Sequence, residues 1–96
     1  MQMIRSFADS DTKKVFEEGS CRTWKAIASV AKRKLDMIEA AVTLSDLKVP
    51  PANKLEALTK EKKWKGFYSI RINQQYRVVF QWEDGVAYNV QIVDYH

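Results

Sequence analysis

The sequence predicts an α+β domain, with helices in its N-terminal half lying on one face of an antiparallel sheet built from its C-terminal half. Two observations carry this. Ile27, Val30, Ala31, Leu35, Ile38 and Val42 recur at three- and four-residue spacing, which is one apolar stripe on a helix. Beyond residue 66 the period changes to strict alternation of aromatic and β-branched residues, and Asp84-Gly85 interrupts it with a strong hairpin signal.

Taken in order, residues 3–7 predict a short first strand. Asp9 and Ser10 offer capping oxygens and Gly19 a left-handed stop, so a short helix carrying Val15 and Phe16 lies between them. Thr23 is the expected cap of the longer second helix. Its charges, Lys25, Lys32, Arg33, Lys34, Asp36 and Glu39, are expected to form a solvated face. Pro50 and Pro51 end this region, because a residue before proline resists the helical conformation. Residues 54–58 add a further strand. Strands then follow at 67–72, 76–82 and 86–93, joined by Asn73-Gln74-Gln75 and Glu83-Asp84-Gly85.

Side chains alternate along a strand, so the two sheet faces can be read separately. Tyr68, Ile70, Ile72, Tyr76, Val78, Phe80, Trp82, Val86, Tyr88, Val90 and Ile92 form an apolar face for the helices. Ser69, Arg71, Arg77, Val79, Gln81, Asn89, Gln91 and Tyr95 form the other face. An antiparallel sheet commonly leaves one face to water. Two central arginines there also suit phosphate, because guanidinium offers a fork of donors.

The chain has 96 residues, a net charge of +4 and a pI near 9.3, a size for one domain spanning 1–96 and a balance that favours a polyanionic partner. Lys60, Lys62, Lys63 and Lys65 surround Glu61 and Trp64 in a run able to grip a phosphate backbone without reading sequence. No apolar run is long enough to span a membrane and the first residues lack a signal-peptide stretch, so a cytoplasmic location is expected. Cys21 is the lone cysteine, which excludes an internal disulfide and is read as a buried, inert thiol. No ligand spacing for a metal is present, and no helix-turn-helix pairing with a glycine turn.

Met3-Ile4-Arg5-Ser6-Phe7, Asn53-Lys54-Leu55-Glu56-Ala57-Leu58, Ser69-Ile70-Arg71-Ile72-Asn73, Tyr76-Arg77-Val78-Val79-Phe80 and Val93-Asp94-Tyr95-His96 occur in this order over nearly the whole chain. As an ordered set they resemble the HigB-type toxins of the RelE superfamily, and the segment through Pro50-Pro51 is similar to the GraT-like branch. The resemblance implies a RelE-like fold, with two helices against a twisted antiparallel sheet, and a ribosome-dependent endoribonuclease acting on mRNA. It implies a HigA-like helix-turn-helix antitoxin as partner, with operator DNA bound only through the toxin–antitoxin complex. It matches His96 to a catalytic histidine, Tyr95 and Asp94 to its neighbours, and Arg71 and Arg77 to arginines that bind the scissile phosphate. Lys54 falls in a basic stretch beside that site. Some members carry a second histidine near position 56, where this chain has Glu56, so a two-histidine mechanism is not available to it.

The residues so matched support RNA cleavage without metal or cofactor. Histidine has an ordinary pKa of about 6.5 and carries protons at neutral pH, so His96 is expected as general acid or base. Arg71 and Arg77 would stabilise the charge that develops on phosphate. Asp94 would orient His96 or share its proton, Tyr95 would position a group of the substrate, and Glu56 is a further candidate for base. Strict alternation places Asp94 and His96 on the helix side and Tyr95 with the arginines, so a bulge or turn is needed to re-aim the histidine. Two other readings stay open: a non-catalytic module that binds RNA or the ribosome and blocks translation, and a weakly toxic protein that mainly binds its antitoxin as a co-repressor.

Overall fold

In the computed structural model, which describes residues 3–94, two helices lie on one face of a four-stranded antiparallel sheet in the order β1-β2-β3-β4. The strands are β1 (Glu56–Leu58), β2 (Phe67–Arg71), β3 (Tyr76–Glu83) and β4 (Val86–Asp94). The helices are α1 (Ser10–Glu18) and α2 (Ala28–Ala40). Among the described residues no helix is long and apolar enough to cross a membrane.

The ends of α1 follow from its sequence. The Asp9 carboxylate accepts from the Thr12 amide at 2.6 Å, and Gly19 turns left-handed at φ 84°. Fully buried Thr12 also ties α1 to the sheet, where its Oγ1 accepts from the Ile92 amide at 3.0 Å. Between α2 and the sheet lies the core of Val15, Ala31, Leu35, Ile38, Ile70, Val78, Phe80, Ala87, Val90 and Ile92, with Cys21 buried at its margin.

Two helix expectations are corrected. Thr23 does not cap α2, because its hydroxyl donates to Asp11 Oδ2 at 2.8 Å and a 3-10 turn over Lys25–Ile27 leads into the helix instead. Val42 leaves the stripe and is exposed. Ala41 turns extended, and the Asp46 carboxylate takes the amides of Val42 and Thr43 at 2.9 and 3.0 Å. Those amide hydrogen bonds, Thr43's first, hold the Asp46 carboxyl below its usual pKa.

The charged face of α2 is not wholly solvated either. Lys34 is buried, and its ammonium donates to Asn53 Oδ1 at 2.6 Å. Desolvation, with Arg33 adding repulsion, lowers its pKa. Asn53 has no exposed surface, and its amide nitrogen donates back to the Leu47 and Val49 carbonyls at 3.2 and 3.4 Å. This one side chain therefore pins the loop that precedes β1 onto α2. Replacing Asn53 with alanine orphans the buried Lys34 ammonium and the buried Leu47 carbonyl, so urea unfolding is expected to show a loss of about 3 kcal/mol. A loss within a few tenths would show that water replaces these bonds.

The sheet departs from simple alternation at one residue. Val79 pairs with Gln91 but Gln81 pairs with Tyr88, so β4 carries an extra residue, and Asn89 takes φ 52° there. Beyond this bulge the faces exchange. Ala87 enters the core, whereas Val86 and Tyr88 pair with Glu83 and Gln81 on the opposite face, contrary to the reading from strict alternation. The predicted first strand is reduced to two parallel bridges on the outer edge of β4, Ile4 with Ala87 and Phe7 with Val90. Only Glu56–Leu58 of the predicted strand at 54–58 is extended in the sheet, because Lys54 takes φ 46° at the end of a 3-10 turn.

Candidate active site

The face of the sheet turned away from the helices gathers the polar residues that the sequence singles out. Register sets their order. Arg71 stands directly opposite Arg77 across β2 and β3, and Glu56, Ser69, Val79 and Gln91 form the adjacent row. The middle of this row is not solvent-exposed as expected: Ser69 and Val79 are fully buried. They make a closed floor, with the charged side chains around it.

Arg77 is held in place from two strands. Its Nη1 lies 3.0 Å from Glu56 Oε1 and donates to Ser69 Oγ at 3.3 Å. The ion pair is graded in exposure, since the Arg77 side chain is 18% exposed and the Glu56 side chain 47%. Arg71 Nε donates to the Asn73 carbonyl at 3.1 Å, which folds the guanidinium toward the β2–β3 turn. That turn is itself built by Asn73, whose side-chain oxygen accepts from the Gln75 and Tyr76 amides, both at 2.8 Å.

Like charges set opposite each other cost a sheet stability. Here Glu56 offsets half of the arginine pair's charge. The geometry leaves a positively charged, rigidly floored patch suited to a phosphodiester, whose oxygens match guanidinium donors. Glu56, weighed from sequence only as a base, is the counterion that fixes Arg77. The sequence carries little signal for this pairing, because the pattern of a three-residue strand scarcely constrains the register that sets Glu56 beside Ser69.

The other predicted residues divide. Asp94 lies at the end of β4 opposite Tyr76, on the helix side, and accepts from Gln75 Nε2 at 3.0 Å. Its register opposite Tyr76 sets it on the face away from Arg71 and Arg77, as alternation predicted. Tyr95 and His96 lie outside the described residues. Lys54 is exposed at the turn entering β1, next to the arginine face. Lys60, Lys62, Lys63 and Lys65 are exposed in the β1–β2 connection, where Lys62–Trp64 forms a 3-10 turn. Within it Trp64 meets Phe67 edge-on at 5.2 Å, and Lys63 Nζ stands 5.3 Å from the indole centre.

Known proteins resemble this chain over most of its length. A family model for HigB-like toxins, described as the RelE-like toxin of the type II toxin-antitoxin system HigB, matches residues 5–96. Toxin HigB-1 of Vibrio cholerae serotype O1 is 48% identical over 67 residues, covering 70% of this chain and 68% of that protein. An uncharacterized protein of Haemophilus influenzae is 46% identical over 63 residues, 66% of this chain and 60% of its own length. With its α+β architecture, its arginine-bearing sheet face and a match running from Arg5 to His96, the chain belongs to the HigB-like family of RelE-like toxins, the toxin half of a type II toxin-antitoxin system that pairs with an antitoxin.

Proposed function

We propose that this toxin is an endoribonuclease that cuts mRNA on the ribosome and so arrests translation. The observation that carries the proposal is the Arg71–Arg77 pair on a closed, helix-free sheet face, with one arginine fixed by Glu56 and Ser69. A prepositioned guanidinium pair stabilises charge on phosphate most when it need not reorganise during the reaction.

The chemistry is an internal displacement. The ribose 2′-oxygen gives up its proton and bonds to the neighbouring phosphorus, while the bond from phosphorus to the 5′-oxygen breaks and that oxygen takes a proton. The products are a 2′,3′-cyclic phosphate and a 5′-hydroxyl. Arg71 and Arg77 hold the phosphate oxygens. His96 carries one of the two protons, with Tyr95 and Asp94 as its neighbours in sequence. Lys54 and the lysines at 60–65 contact the RNA backbone on either side.

Two arginines grip a phosphate but do little to orient the rest of an RNA strand. The ribosome supplies that orientation by presenting one strand in a fixed path, a contribution worth several orders of magnitude in rate. The cognate antitoxin in this reading is a HigA-like helix-turn-helix protein. Operator DNA is contacted through the complex, and the toxin acts in the cytoplasm where ribosomes are.

The test is a purified translation system with a defined mRNA. Cleavage with 5′-hydroxyl ends is expected in the presence of ribosomes, and a rate at least a hundredfold lower, as an order-of-magnitude expectation, on the same RNA alone. Arrest of translation with intact mRNA would replace this reading by that of a non-catalytic inhibitor. Normal translation would replace it by that of a co-repressor.

A further inference from the structure

The run at 60–65 contains more than lysines. Trp64 lines a cleft of about 160 Å³ together with Glu56, Ala57, Leu58, Thr59, Lys60 and Glu61. Glu56 is shared: it walls this cleft and also binds Arg77. Glu56 thus stands between the cleft and Arg77.

Strand parity puts the tryptophan on the same side. Phe67, which Trp64 contacts, lies on β2 four residues before Arg71 and so shares its face. Four strand residues span about 13 Å, which places the indole within reach of a nucleotide near one whose phosphate sits on the arginines. The ring is half-buried and held by Phe67 at its edge and Lys63 over it, so little of its freedom is left to lose on binding. A fixed aromatic ring beside a cationic run is the arrangement by which proteins take single-stranded bases.

We propose that Trp64 and its cleft form a base-stacking subsite for a nucleotide flanking the scissile phosphate, with Lys60 taking that nucleotide's phosphate. The inference rests on the RNA-cutting reading for what occupies the arginine patch. The stacking itself is tested separately. Glu61, at the start of the Trp64 turn and on the cleft wall, accepts from the exocyclic amine of a bound base. The subsite therefore favours adenine over uracil, by this hydrogen bond and by stacking area.

The probe is a five-residue oligoadenylate titrated into the full chain carrying His96→Gln, so that binding is read without cutting. The indole N–H resonance of Trp64, assigned by its loss in Trp64→Phe, is expected to shift on titration. Trp64→Ala is expected to weaken binding about 5- to 100-fold, and Trp64→Phe to keep most of it. Pentauridylate is expected to bind more weakly, with the difference reduced in Glu61→Gln. The proposal is overturned if the Trp64 resonance stays still while the oligonucleotide binds, if Trp64→Ala binds as well as its parent, or if no oligonucleotide binds at millimolar concentration. Binding through Trp64 in a protein that leaves mRNA intact would keep the subsite and remove the nuclease reading. Cutting that proceeds with Trp64 unmoved would do the reverse.

Discussion

Arg77→Ala is expected to lower the rate of ribosome-dependent mRNA cleavage by about 10²–10³-fold, the usual cost of removing a prepositioned donor to developing charge. The loss should exceed that of Arg71→Ala. Arg77 sits 3.0 Å from Glu56, and its removal leaves a carboxylate facing the phosphate in place of a guanidinium. Arg71 leaves behind only the Asn73 carbonyl. The double variant Arg77→Ala/Glu56→Ala should therefore recover part of the loss, and Arg77→Lys, which keeps charge without the fork, should fall between. Cleavage rates by primer extension, set beside urea unfolding of each variant, separate lost chemistry from a loosened sheet. Arg77→Ala cutting within a few-fold of the parent would remove the arginine pair from the mechanism.

His96→Gln is expected to reduce cleavage by about 10²–10⁴-fold, since glutamine keeps a polar side chain of similar reach but carries no proton between pH 5 and 9. Residual cleavage in the variant should lose the pH dependence that an imidazole imposes on the parent near neutrality. Two results sink the assignment: full activity in the variant, or a pH profile that does not change. Continued arrest of translation without cutting would show that the same surface also docks and blocks.

Local rules read much of the architecture from sequence. Asp9 and Gly19 bound α1 as capping chemistry requires, and Asp84-Gly85 sits at the tip of the β3–β4 hairpin with positive φ at both residues. What could not be read depends on contacts between distant segments. The bulge at Asn89 has no composition signal, yet it exchanges Ala87 with Val86 and Tyr88 between the faces. Lys34 looks like any lysine in a charged helix, and only Asn53, 19 residues away, makes its burial tolerable. Of the candidate site, the arginine pair was legible from alternation. The role of Glu56 was not, because an ion pair across two strand junctions depends on register, which the hydrophobic pattern of a three-residue strand scarcely constrains.

The edge contact of residues 3–8 with β4 bears on how the toxin comes into being. Ser6 Oγ accepts from the Asn89 amide 83 positions later, and the amides of Arg5 and Ala8 donate to the carbonyls of Ala87 and Val90. The segment at 3–8 is therefore made long before it can dock, because its docking strand is synthesised more than seventy-five residues afterwards. A nascent chain has α1 and α2 well before it has the sheet that covers their apolar sides. The arginine pair exists only once β2 and β3 have closed on each other.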